Sequence, residues 1–301
     1  MSRPVAVVTG AARGIGLETA RRLSATHRVA LLDLDGEGAR RAAAEIPDAL
    51  AVGCDIADAA SVAPAIAHVV DECGGIDVCI SNAGIATLGA LRLLDPDVVA
   101  AQVNVNLTGN WRVIHACLPH LVQRRGYVLG VASLAAIVPP AGLGAYAASK
   151  AGLEQLLDVL RAEVRHLGVD VGVAYFSWID TEMVRGVDRH HPGFTRVREG
   201  LPWPASRTLP VAAAAEAIAR GVERRSRRVV APRFVGLLYR LRGLIPELLD
   251  RESAKAGATV DEHTAELVAE RGAFGAGLRP GEVASDAAAR STGRESAAPR
   301  P

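Results

Sequence analysis

The chain has 301 residues, half of them apolar, with few aromatics and a formal net charge of +1. That length fits one large α/β domain or two small ones, and the balanced charge gives no electrostatic argument for a nucleic-acid partner. No apolar run is long enough to span a bilayer, and Cys54, Cys73, Cys79 and Cys117 lack metal or CxxC spacing, so buried thiols in a reducing cytoplasm and no metal site are expected.

Strand and helix signals alternate along the chain. Met1 to Gly10 enters a strand at once, at Val5 to Val8, which leaves no room for a signal peptide. Gly14 to Ala25 reads as a helix with Leu17, Ala20 and Leu23 on one face. Val29 to Asp33 is a second strand, 36–46 an Ala-rich helix stopped by Pro47, Leu50 to Gly53 a third strand and 58–73 a third helix. Asp77 to Ile80 is a fourth strand, and one long helix begins at Asp95-Pro96 and runs to Arg124. Gly126 to Val131, the helix 144–167, Val169 to Tyr175 and a seventh strand at Arg227 to Ala231 complete the pattern. Strands separated by helices predict a seven-stranded parallel sheet in one α/β domain, with helices on both faces. In such sheets the site lies past the carboxyl ends of the strands. Thr9, Asp33, Asp55, Asn82, Ser133 and Phe176 all fall there.

Two constellations carry chemistry. Gly10, Gly14 and Gly16 follow the first strand and open a helix, with Arg13 and Ile15 between them. Small residues there let a backbone approach a pyrophosphate, and the helix start offers free N–H groups and positive potential. Asp33, at the end of strand two, can bind both ribose hydroxyls of an adenosine and would repel a 2′-phosphate, which favours NAD. Arg13 argues the other way, toward NADP. Further on, Tyr146 and Lys150 lie one helical turn apart and share a face, with Ser133 upstream. A phenol is a poor base at neutral pH, and a nearby ammonium would lower its pKa. Taken singly, each of these residues has a plain structural reading: a helix tyrosine, a surface lysine, a loop hydroxyl.

Together, the run Thr9-Gly-Ala-Ala-Arg-Gly-Ile-Gly16 and the set Asn106, Ser133, Tyr146 and Lys150 resemble the short-chain dehydrogenase/reductase family from about Val5 to Pro232. The resemblance implies a Rossmann-type doubly wound sheet and an NAD(P)-dependent alcohol–ketone oxidoreductase. In it Tyr146 is the acid/base, Ser133 holds the substrate oxygen, Lys150 contacts the nicotinamide ribose and Asn106 positions a water. It also implies cofactor contacts from Asp55 and Ile56, from Asn82, Ala83 and Gly84, and from Ile179 and Thr181, and a homodimer or homotetramer through 95–124 and 144–167. Two alternatives stay open: an NADPH-dependent 3-oxoacyl-type reductase, and a non-catalytic dinucleotide sensor. Phe176-Ser177 replaces the family's Pro-Gly, so a reshaped cofactor floor is expected.

After Glu182 comes the stretch where the family keeps its substrate lid, with Met183, Val184, Val187, Phe194, Leu201 and Trp203. Joined by Trp178, Leu134 and Val138, these predict an apolar pocket for a lipophilic substrate. Arg185, Arg189, Arg196 and Arg198 read as solvated charge, and His190-His191 as a loop pair. The chain divides into a catalytic unit at 1–232, an amphipathic helical extension at 233–270 and a disordered tail at 271–301. Pro246 should kink the extension's apolar helix 234–250. That helix is expected to pack on protein or, helped by Arg224, Arg225, Arg227 and Arg228, to touch a membrane surface.

Overall fold

The computed structural model of the chain describes residues 3–190, 195, 198–201 and 203–275. Its strands are β1 (Val5–Thr9), β2 (Arg28–Asp33), β3 (Leu50–Gly53), β4 (Val78–Ser81), β5 (Tyr127–Val131), β6 (Asp170–Phe176) and β7 (Arg228–Ala231). All pair in parallel, in the order β3-β2-β1-β4-β5-β6-β7. Successive strand residues point to opposite faces, so each β-branched run feeds two cores at once. Val5 and Val7 join Cys79, Val128 and Val173 on one face, while Ala6 and Val8 join Ile80, Leu129 and Ala174 on the other.

The first face is covered by α3 (Ala59–Cys73), α5 (Asn110–Arg124) and α6 (Gly144–Val164). The second is covered by α1 (Gly14–Leu23), α2 (Gly36–Ala44) and α8 (Val211–Glu223). Between α3 and α5 lies α4 (Pro96–Val103), and α7 (Glu182–His190) follows β6. His190 therefore ends a helix rather than sitting in a loop; His191, Phe194, Arg196 and 276–301 lie outside the described residues.

Two helical expectations need correction. The single helix expected over 95–124 is interrupted: α4 passes into a π-helical turn, Asn104–Gly109, before α5. Widened turns of this kind often mark functional sites, because the extra residue re-aims side chains. This one contains Asn106 and delivers it, buried, to the sheet end.

The second correction concerns the extension. The expected kinked helix over 234–250 is two helices, α9 (Phe234–Leu241) and α10 (Ile245–Gly275). Pro246 stands in the first turn of α10, where its missing N–H costs no intrahelical bond, so it starts a helix instead of bending one. The helical conformation of α10 is broken at Gly272, one residue past Arg271.

The extension is anchored on α6 and the sheet edge. The Tyr239 ring meets the Tyr175 ring at a tilt of 51°, with centroids 5.3 Å apart. Arg228 pairs with both carboxylate oxygens of Asp158, at 3.0 and 2.7 Å, and donates to the Tyr239 hydroxyl at 2.6 Å. Arg242 pairs with Glu154, whose side chain is 1% exposed. A carboxylate that deep needs a cation, so removal of Arg242 would leave a costly unpaired charge. Val235 and Ile245 add their side chains to the core of that face.

Candidate active site

The glycine turn between β1 and α1 is built for close approach. Gly10 and Gly14 have φ of +63° and +59°, and a Cβ on Gly16 would fall 2.1 Å from the Gly10 carbonyl oxygen. The turn is braced from below. The Asn82 amide donates to the carbonyls of Thr9 and Gly10, at 2.9 and 3.3 Å, and the Thr9 hydroxyl accepts from the Asn82 and Ala83 N–H groups. Asn82 thus serves the turn's shape. The α1 start carries no side-chain cap, whereas α2, α3 and α4 are capped by Asp35, Asp58 and Asp95. Uncapped first-turn N–H groups beside a glycine-lined turn suit an anionic pyrophosphate.

Asp33 ties the same turn to β2. Its two oxygens accept from the Ala12 N–H at 2.9 Å and the Asp35 N–H at 3.0 Å, which fixes the carboxylate and leaves one lone pair on each oxygen for a ribose hydroxyl. Arg13 is half-buried and makes no ion pair among the described residues. Asp55 accepts from the Ala57 N–H at 2.8 Å, with Ile56 buried beside it. Thr181 faces the turn from across the sheet end: a Cβ on Gly14 would lie 3.7 Å from its Cγ2. Ile179 is buried, and its carbonyl accepts from the Thr181 N–H at 2.7 Å.

The Phe176-Ser177 departure turns out differently from expectation. Phe176 is buried with Ile179, Leu209 and Ala214 in the core under α8, so its bulk is absorbed below the sheet instead of raising the floor. The Ser177 hydroxyl is buried with no hydrogen-bond partner among the described residues.

The catalytic half is a network of buried polar side chains. Asn106 clamps Ile85 from both sides: its Oδ1 accepts from the Ile85 N–H and its Nδ2 donates to the Ile85 carbonyl, both at 2.8 Å. Nδ2 also donates to the Ser149 hydroxyl at 3.1 Å, and Ser149 donates to the Tyr146 carbonyl at 2.8 Å. The Asn106 amide is therefore spent on positioning Ile85 and α6. Asn110, one turn later, was not singled out from sequence. Its Nδ2 donates to the carbonyls of Ala83, Val105 and Asn106, and its Oδ1 accepts from Ser81 at 2.5 Å. Asn106 Oδ1 and Lys150 Nζ lie 3.1 and 3.2 Å from where a Gly84 Cβ would stand, so a larger residue there would have to push one of them aside.

Lys150 is 3% exposed, donates to the Val131 carbonyl at 2.8 Å and lies 5.9 Å from the Tyr146 ring centroid. Burial lowers its pKa to about 8. Burial pushes the Tyr146 phenol up from its ordinary value, and hydrogen bonding with Ser133 offsets only part of this. The sequence-based expectation is a phenol lowered by the ammonium together with a positive nicotinamide ring; with the protein's own groups, desolvation outweighs the Ser133 hydrogen bond and the phenol is raised. Ser133 itself accepts from the Ala135 N–H at 3.1 Å, which sets its rotamer.

Leu88, Leu143 and Trp178 pack around Tyr146. Three of the expected lid residues do not join them: Met183 and Leu201 are at the surface, and Trp203 is 80% exposed. Leu134 and Val138 pack instead against the core under α6. Arg198, expected in solvent, is 8% exposed, pairs with Asp188 at 3.0 Å and lies 5.7 Å from the Trp178 ring.

A parallel sheet with this turn at its switch between faces, and with a proton-bearing tyrosine beside it, belongs to the dinucleotide-binding α/β oxidoreductases. The short chain dehydrogenase family profile matches residues 4–192, more than half of the chain, and the protein belongs to that family. It is similar to the 3-oxoacyl-(acyl-carrier-protein) reductase MabA of Mycobacterium avium, with 35% identity over 62% of this chain and 71% of that one. It is similar, too, to the 2-(R)-hydroxypropyl-CoM dehydrogenase of Xanthobacter autotrophicus, with 35% identity over 62% of this chain and 78% of that one. Among solved structures, the 3-ketoacyl-(acyl-carrier-protein) reductase of Brucella melitensis complexed with NADH superposes with a TM-score of 0.69. It shares 26% identity over 76% of this chain and 97% of that one. The protein is an oxidoreductase of a family that acts on CH–OH donors with NAD(P).

Proposed function

We propose that the protein interconverts a lipophilic secondary alcohol and its ketone, with NAD as dinucleotide and Tyr146 as the proton-transferring group. The observation that carries this is the placement of Tyr146, Ser133 and a buried Lys150 at the sheet end beside the uncapped start of α1. Gly10, Arg13, Gly14, Ile15 and Gly16 would hold the pyrophosphate, Asp33 the ribose, Asp55 and Ile56 the adenine. Asn82, Ala83, Gly84, Ile179, Thr181 and Lys150 would border the nicotinamide half. The bound dinucleotide supplies the two-electron acceptor or donor.

The chain's own residues handle the proton. Tyr146 Oη gives a proton to a ketone oxygen or takes one from an alcohol, and the Ser133 hydroxyl hydrogen-bonds that oxygen as its charge changes. A phenol held protonated at neutral pH is set for ketone reduction, and oxidation should gain as pH rises. Leu88, Leu143 and Trp178 around the phenol support an apolar substrate. A second reading, NADPH-dependent reduction of a 3-oxoacyl thioester, draws on the relatives that carry that name and on the unpaired Arg13.

Absorbance at 340 nm over a panel of ketones and alcohols tests this, with NAD(H), NADP(H) and the Tyr146→Phe variant. Turnover that prefers NAD(H) and falls by roughly a thousandfold in the variant is expected. A preference for NADP(H) would favour the second reading. Tight NADH binding with no turnover on any substrate would favour a dinucleotide sensor and sink the proposal.

The unpaired cysteines, three of them buried, support a cytoplasmic setting for the enzyme in this reading. For its assembly we infer a homodimer or homotetramer through α5 and α6. Leu237, Leu241, Leu244 and Leu248 on the extension are exposed, which keeps peripheral membrane contact as a rival use of that face. Light scattering with and without anionic vesicles separates them. A dimer or larger species alone supports the first, co-sedimentation the second, and a monomer indifferent to vesicles removes both.

A further inference from the structure

We infer that α10 is a latch that sets the width of the substrate entrance, with Val260, Asp261 and Thr264 as positioning residues for substrate acceptance. The inference rests on the proposed reaction and adds an element to it. Two loops carry the apolar walls around Tyr146: the segment after β4, with Leu88, and the segment before α6, with Leu143. The residues next to those walls, Gly89 and Gly142, are joined by a hydrogen bond from the Gly89 N–H to the Gly142 carbonyl at 2.9 Å. Both glycines have positive φ, +152° and +84°, so the two loops meet in conformations that other residues rarely adopt.

One face of α10 grips this junction. The Thr264 hydroxyl accepts from the Ala90 N–H at 2.9 Å while donating to the Val260 carbonyl at 2.6 Å, so its position is fixed by its own helix. Thr264 is 2% exposed. A Cβ on Gly89 would stand 3.2 Å from Thr264 Cγ2, and one on Gly142 would stand 3.0 Å from Val260 Cγ1, so the helix packs directly on both glycines. Asp261 closes the outer side, with both carboxylate oxygens on Arg92; its Oδ1 accepts from Arg92 Nε at 2.6 Å. Residues 260, 261 and 264 lie on one helical face. The contacts bypass the glycine turn and Asp33, so the latch bears on substrate and leaves the dinucleotide untouched.

Leu88 and Leu143 are adjacent in sequence to the gripped glycines, and on its other side the Leu88 loop is held by the Thr87 N–H on Gln102 Oε1 at 2.8 Å. Loosening the grip should let both walls move outward together. A substrate that fits the narrow entrance then loses contacts, and a bulkier one gains access.

The test uses the full-length chain and the double variant Asp261→Asn/Thr264→Val, which keeps side-chain volume. Thr264→Ser, which keeps the acceptor for Ala90, serves as the conservative control. Amide hydrogen exchange at 88–91 and 142–143 should quicken by roughly fivefold to tenfold in the double variant, the change expected from one or two lost hydrogen bonds, and stay near wild type in Thr264→Ser. Over a ladder of ketones of increasing bulk, KM for the best small substrate should rise about fivefold. The bulky members should gain relative to it, with kcat changed less than threefold and NADH affinity less than twofold. Unchanged exchange at those amides overturns the latch. Faster exchange with an unaltered KM ladder overturns its role in substrate acceptance. A wild-type protein that turns over nothing on the ladder counts against the proposed reaction; the latch is then judged by exchange alone.

Discussion

The two halves of the site are made of different material. The half proposed to hold the dinucleotide is mostly backbone: glycines at positive φ, an uncapped helix start, and Asn82 and Asp33 holding main-chain groups in place. The catalytic half is mostly buried side chain: Asn106, Asn110, Ser149 and Lys150, each at most 3% exposed and each bonded to a carbonyl or to another side chain. A backbone cradle tolerates sequence change wherever a side chain points away from it, and fails where a Cβ points in. A buried polar network fails wherever one member leaves another unpaired. The first half should therefore break sharply at a few glycines, and the second should respond to protonation.

Gly16→Ala is the larger break. Its methyl group would stand 2.1 Å from the Gly10 carbonyl oxygen and 2.9 Å from the Asn82 amide nitrogen, both fixed atoms. Relief requires the turn to open, at a cost of about 1–3 kcal/mol for overpacking. NADH affinity, followed by fluorescence, should fall by roughly tenfold to a hundredfold. The Tyr146 region should be unaffected, since none of its side-chain bonds reach Gly16. Affinity within twofold of wild type would show that the backbone cradle does not hold the dinucleotide.

The difference in material also decides what could be read in the sequence. Strand ends, the glycine spacing and the Tyr146–Lys150 turn are local periodicities, and Thr9, Asp33, Asn82 and Phe176 stand at or just past strand ends as expected. The helix interruption at Asn104–Gly109 is not fixed by local sequence alone: Pro119 lies inside the unbroken α5, well past it, and the widened turn is held by Asn110 bonding back to Val105 and Ala83. The local signals are Asn104, Asn106, Thr108 and Gly109, residues of low helix propensity gathered in one turn. Phe176 was misjudged because its face of β6 cannot be known until the strand's register is, and one residue of slip exchanges substrate floor for core. Hydrophobicity alone assigns Trp203 to the pocket lining, yet it is exposed. The grip of α10 on Gly89 and Gly142 joins residues far apart in the chain, and no spacing rule reaches that distance.

Lys150 offers a smaller but more discriminating test of the catalytic half. The unfolded lysine keeps its proton to about 10.5, while in the fold it releases it near 8. Between these values the unfolded chain binds more protons than the folded one, so stability from this group rises with pH. It is lowest below about pH 8, where a charged ammonium must be buried. The whole shift corresponds to about 3 kcal/mol, and the part reached by pH 9.5 to about 2 kcal/mol. Lys150→Met carries no such titration. The stability of wild type minus that of the variant, by urea unfolding, should therefore climb from pH 7.5 to 9.5. Tyr127 and Tyr175, both pushed up by burial, lose stability only above the ordinary tyrosine range, so they do not mask the slope. A flat difference would mean that Lys150 keeps its proton throughout, with the Val131 carbonyl and the phenol compensating for lost water. The ammonium would then be a fixed charge at all working pH values, and any rise of alcohol oxidation with pH would have to come from Tyr146 alone.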